Sequence, residues 1–111
     1  MKMTPFLEYV VYDIFTDSRQ VTFRPMMGGY ALYYEGSMFA FIDGDDLYIK
    51  GRKEESIWYT TQGSKQFSYR RQGKEVHLCY FLVPPAIYED REVFGKWLDK
   101  TLSYVSSLRN M

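Results

Sequence analysis

Between Arg24 and Lys50 the chain sets three short apolar runs apart with two-residue polar turns. Residues 30–34 end at Glu35-Gly36, residues 38–42 lead to Gly44-Asp45, and residues 47–49 close the series. Runs of this length, rich in aromatic residues and separated by two turn residues, predict an antiparallel meander. Ahead of it, Phe6, Val10 and Ile14 recur at helical spacing with Leu7, Val11 and Phe15 beside them. Thr4-Pro5 reads as an N-cap followed by proline at the first helical position, and Asp17-Ser18 as the end of this helix. Residues 21–24 predict a short strand that Pro25 confines to an edge or a bulge, and Gly28-Gly29 a sharp bend into the meander.

Beyond the meander, residues 54–62 predict a short second helix stopped by Gly63. Residues 66–72 and 75–83 predict a hairpin turning at Gly73-Lys74, and Pro84-Pro85 ends it. Asp90 is placed to cap a last helix whose Phe94, Trp97, Leu98, Leu102, Val105 and Leu108 form one buried stripe. The order is α-β(4)-α-β(2)-α. Because strands adjacent in sequence usually pair, the expected class is α+β, with two layers: an antiparallel sheet of five to six strands and helices on one face. Residues 1–111 contain no internal repeat, linker or low-complexity stretch and read as a single domain.

Straight two-residue turns also assign faces, since paired residues share one. Tyr34 then pairs with Ser37, Leu32 with Phe39, Tyr30 with Phe41, Phe41 with Tyr48 and Phe39 with Lys50. One face carries Ala31, Tyr33, Met38, Ala40, Ile42, Leu47 and Ile49, the expected core. The other gathers Tyr30, Tyr34, Phe39, Phe41 and Tyr48, an aromatic patch expected to bind a partner, most simply a second copy of the chain. In the last hairpin Phe67, Tyr69, Val76, Leu78, Tyr80 and Leu82 read as core, and Arg70, Gln72, His77, Cys79 and Phe81 as the outer face.

Composition narrows the function classes. Fourteen basic side chains balance 14 acidic ones. Sequence-independent nucleic-acid binding draws on an excess of Lys and Arg, so nucleic acid is an unlikely partner for the chain alone. The only basic concentration is Lys50-Gly51-Arg52-Lys53 with Lys65, Arg70, Arg71 and Lys74, and of these Lys50, Arg52, Lys65, Arg70, Arg71 and Lys74 are the six candidate nucleic-acid contacts, with Tyr59 and Tyr69 near in sequence for stacking. One cysteine, Cys79, excludes an internal disulfide and fits a reducing compartment. No cleavable apolar leader is present, and no apolar run approaches the ~20 residues needed to span a bilayer, so a cytoplasmic protein without a membrane partner is expected. Aromatics make up 19% of the chain, more than a small interior readily absorbs.

Five motifs stand in order: Met26-x-Gly28-Gly29-Tyr30-x-Leu32-Tyr33, Gly36-x-Met38-Phe39-Ala40, Leu47-Tyr48-Ile49-Lys50, Phe67-x-Tyr69 and Tyr80-x-x-x-Pro84. Together they closely resemble the N-terminal domain of the TfoX/Sxy family, bacterial regulators of natural competence, over roughly Phe6 to Leu108. The resemblance implies a fold of the kind grouped with secretion chaperones, and a non-enzymatic interaction module accessory to transcriptional regulation. Two-domain members are thought to act with the cyclic-AMP receptor protein, which implies an indirect link to a transcription factor. They carry a further helical domain, whereas the 111 residues here correspond to the N-terminal one alone.

Chemistry-bearing motifs are sparse. Residues 36–42 echo the aromatic strand of RNA-recognition modules but lack its basic lead residue, and the element order differs. Gly28-Gly29 leads into a strand rather than a helix N-terminus, which favours a bend over an anion cradle. Asp43-Gly44-Asp45-Asp46 lacks the later glutamate of a calcium loop and reads as turn chemistry. His77 and Cys79 share a strand face, yet no second His or Cys completes a zinc set. No catalytic site, metal or cofactor is expected.

Overall fold

The computed structural model of the protein describes residues 5–10, 21–26 and 28–109. A short helix, α1 (Pro5–Glu8), opens them with proline at its first position. Six strands follow the predicted order: β1 (Val21–Met26), β2 (Gly29–Tyr34), β3 (Ser37–Asp43), β4 (Asp46–Lys50), β5 (Gln66–Arg71) and β6 (Lys74–Leu82). Helix α2 (Ser56–Thr61) lies between β4 and β5, and α3 (Arg91–Arg109) closes the chain. All pairings are antiparallel, and the strands lie side by side as β1-β2-β3-β4-β6-β5. The α+β class and the α-β(4)-α-β(2)-α order are those the pattern predicts. The cap Thr4 and the later part of the expected first helix, with Val11, Ile14, Phe15 and its Asp17-Ser18 end, lie outside the described residues.

Local chemistry accounts for the boundaries. Pro25 sits in β1, an edge strand, where a missing N–H is tolerated. Glu35 and Gly36 both take left-handed conformations (φ 49° and 83°), the pattern of a type I′ hairpin turn. Gln72 and Gly73 do the same (φ 53° and 77°), so the last hairpin turns at Gln72-Gly73 and not at Gly73-Lys74. Glycine belongs at the second central position of that turn, which places it one residue earlier than expected. Asp90 caps α3 as predicted: its Oδ1 accepts from the Val93 N–H at 3.2 Å and its carbonyl from the Phe94 N–H at 2.8 Å. Phe94, Trp97, Thr101 and Val105 make the fully buried stripe of α3, while Leu108, expected in it, is 39% exposed.

The core gathers Leu7 and Val10, Tyr59 of α2, and Phe94, Trp97 and Val105 of α3 against Leu32, Phe39, Ala40, Ile42, Leu47, Ile49, Phe81 and Val83. The straight register fails in β3. Tyr33 pairs with Met38, but Leu32 pairs with Ala40 and Tyr30 with Ile42, leaving Phe39 as an extra residue. A bulge of this kind shifts everything beyond it by one, and a one-residue shift exchanges faces. Tyr30, Leu32 and Tyr34 therefore turn toward the helices, and Ala31 and Tyr33 away from them, the reverse of the expected assignment. Phe39 and Ala40 both reach the helix-side core.

The last hairpin is inverted as well. Phe81 pairs with Ile49 and stacks on Tyr59 at 4.3 Å and 8°, inside the helix-side core. Phe67 and Tyr80 pack on the opposite face, and Tyr69 and Leu78 are partly exposed at 39% and 37%. Between Gln66 and Ser68 the partner strand runs from Phe81 to His77, so β6 carries two extra residues there. The Gln66 side chain spans the irregularity, its Nε2 donating to the Leu78 carbonyl at 2.9 Å.

Candidate interaction surface

On the sheet face turned away from the helices, one row runs Arg24, Ala31, Phe41, Tyr48, Leu82 across successive pairings. Phe41 and Tyr48 stack at 5.0 Å and 13°. Phe67 meets both edge-on at 4.9 and 5.1 Å, and Tyr80 meets Phe41 at 5.0 Å. Phe41 and Tyr48 are only 5% and 6% exposed and stand outside the helix-side cluster. They form a second, smaller core. In a flat sheet β3 and β5 would lie ~14 Å apart, so the contact of Phe41 with Phe67 bends the sheet toward this face. Burial raises the pKa of Tyr48, with Asp46 and Asp43 adding to the effect, and raises that of Tyr80, with Tyr33 adding to it.

The five rings expected to converge are thus divided by the bulge. Phe41 and Tyr48 meet on the outer face. Phe39 is wholly buried on the other, where Tyr34 meets it edge-on at 6.4 Å and Tyr30 meets Phe23 at 6.1 Å. Those three face the helices and offer no common surface with the first two.

The six cations also separate. The Lys50 ammonium lies 5.5 Å over the Tyr80 ring; burial lowers its pKa, and nearby Cys79 opposes that shift. Arg52 Nε is 3.7 Å from Glu55 Oε1, and its guanidinium lies 4.6 Å over the Tyr104 ring of α3. Both are engaged within the fold. Lys65, Arg70, Arg71 and Lys74 are exposed on and beside the β5–β6 hairpin, where Arg70 Nη1 donates to the Gly73 carbonyl at 3.3 Å. Glu75 is the one acid among residues 64–78, and its Oε1 is 3.6 Å from His77 Nε2. Among the described residues, no group of three or more His, Cys, Asp or Glu is placed to hold a metal ion.

The hairpin is therefore the surface on which exposed aromatic, aliphatic and cationic side chains lie together: Tyr69, Leu78, Lys65, Arg70, Arg71 and Lys74. Reading Tyr69 and Leu78 as core missed two of them. Arg24, 5.5 Å over the Tyr33 ring on the outer face, was also missed, because the straight register turns Tyr33 inward. No helix among the described residues is long and apolar enough to cross a membrane. No curated protein matches the chain. A family model, that of the TfoX N-terminal domain, matches residues 13–104, and the chain belongs to that family.

Proposed function

We propose that this TfoX N-terminal domain protein is a non-enzymatic interaction module that works in the cytoplasm through protein–protein contacts, as an accessory to transcriptional regulation. The observation that carries the reading is the β5–β6 hairpin, where Tyr69 and Leu78 stay 39% and 37% exposed amid four cations. Tyrosine and arginine are the residue types that anchor protein interfaces, because each combines a large contact area with directed hydrogen bonding. The partner is a protein, and any effect on transcription passes through it to a transcription factor. Family membership supports the regulatory part, by analogy with competence regulators.

Tyr69→Asp with Leu78→Asp tests this in the source cell. Both side chains are surface ones, so the variant should fold as the parent does. It should lose the partner cross-links formed by the parent and leave transcripts as they are in a deletion strain. Unchanged cross-links, or full restoration of transcripts, would remove the hairpin from the interface. The same four cations around Tyr69 support a second reading, weak binding of single-stranded nucleic acid. That reading requires affinity falling steeply with salt, whereas an apolar protein contact depends on it weakly.

A further inference from the structure

The sheet has two edges, and they differ. In β1, the Met26–Gly29 pair flanks a two-residue connection, so Arg24–Ala31 and Thr22–Tyr33 alternate with it as hydrogen-bonded pairs. Phe23 and Pro25 then present their backbone to the outside, and Pro25 has no N–H to offer. An incoming strand meets a gap in the middle of β1. At the other edge, the Gln72-Gly73 turn makes Arg71–Lys74 and Tyr69–Val76 the hydrogen-bonded pairs of β5. The N–H and C=O of Ser68 and Arg70 therefore point away from β6. Neither residue is a proline, and among the described residues β5 has β6 as its sole strand neighbour.

An edge whose backbone groups are free is a template for another strand, and proteins that do not use such an edge interrupt it or guard it with charge. Here β1 is interrupted by Pro25, whereas β5 keeps its backbone groups and is guarded only by cations, which an acidic strand would neutralise. Charge specifies the occupant. Lys65, Arg70, Arg71 and Lys74 face Glu75 alone across residues 64–78, in a chain whose formal net charge is zero. A second copy of β5 would bring four more cations against these. On the apolar side, residues opposite Tyr69 share its face with Phe67, 6.3 Å from it.

We propose that the β5 edge receives an extended segment of a partner protein, alternating apolar and acidic side chains, as an added strand. The backbone of Ser68 and Arg70 supplies the ladder, Arg70 pairs with the acids, which alternate onto its face, and Tyr69 covers an apolar residue on the other. This rests on the hairpin being the partner surface and adds the mode of binding and the partner's chemistry.

The test uses the full chain and a capped peptide of about eight residues, a usual strand length, alternating valine and glutamate, beside its valine–lysine counterpart. The glutamate peptide should bind, the lysine peptide should not, and the Ser68 and Arg70 amides should become protected from hydrogen exchange. Ser68→Pro removes one outward donor at a position equivalent to that of Pro25, and should weaken binding about tenfold. Arg70→Glu leaves the ladder intact and should exchange the peptide preference. No binding at millimolar peptide, equal binding of both peptides, unprotected amides, or a parent that dimerises through β5 would each overturn the proposal. If Ser68→Pro binds as the parent does while Tyr69→Asp with Leu78→Asp still loses its cross-links, the hairpin reading survives and the edge reading falls.

Discussion

Gly51 faces the ring of Tyr59 so closely that a Cβ there would stand 2.6–2.7 Å from its Cε2, Cζ and hydroxyl oxygen. Its φ is not left-handed, so what the position requires is space. The ring cannot retreat. Phe81 stacks on it at 4.3 Å, Trp97 meets it edge-on at 5.3 Å, and its hydroxyl is hydrogen-bonded to Thr101. Thr101, wholly buried, also donates from Oγ1 to the Lys50 carbonyl at 2.5 Å, which ties α3 to the end of β4. Gly51→Ala should therefore destabilise the protein by ~1–3 kcal/mol, the usual effect of overpacking a filled core. Urea unfolding measures it, and an unchanged midpoint would mean that the Tyr59 ring yields. None of this was legible in the sequence: Gly51 stands in a polar loop, and its neighbour Tyr59 is close only through the tertiary fold.

At the scale of elements, what the sequence made legible is what short-range chemistry dictates. Glu35-Gly36 and Gly44-Asp45 mark their turns because glycine supplies left-handed backbone, and Asp90 marks the start of α3 because its carboxylate accepts from Val93. The bulge at Phe39 carries no such marker. It contains no glycine or proline, and both neighbours are ordinary strand residues, so nothing local distinguishes it from straight pairing. One extra residue then reversed the faces of β2 and split the expected aromatic patch: Phe41 and Tyr48 stay together on the outer face, and Tyr34 and Phe39 meet on the helix side. The bulge makes opposite predictions for two rings. Phe39→Ala should cost ~3–5 kcal/mol, because Phe39 is wholly buried, and Tyr33→Ala distinctly less, because Tyr33 is only partly so. A straight register would exchange the two. Trp97→Ala, central to the α3 stripe and 1% exposed, should likewise cost ~3–5 kcal/mol out of the ~5–15 that a domain of this size possesses.

Across the whole molecule, the two apolar clusters share strands: Phe41 and Tyr48 alternate with Ala40, Ile42, Leu47 and Ile49 along β3 and β4. Neither face can open without the ladder that supports the other, so both should be lost in one transition. Buried tyrosines on the two faces report on that event. Burial pushes Tyr59 and Tyr88 up to about 12, from an ordinary value of 10.0, and also raises Tyr48 and Tyr80 on the outer face. A hydroxyl that holds its proton more tightly in the folded chain contributes stability that is complete below the unfolded value of 10.0. That contribution is lost as the pH rises from there through about 12. Lys50, lowered from 10.5 by burial, acts in the opposite sense, but its effect is complete by 10.5 and leaves most of that range to the tyrosines. The urea midpoint should therefore fall steeply above pH 10, with tyrosinate absorbance appearing together with unfolding. Tyr59→Phe and Tyr80→Phe should each flatten the fall, one from each side of the sheet. If the midpoint is level up to pH 12, or if one substitution flattens it and the other does not, the two clusters are not joined through the sheet as their shared strands require.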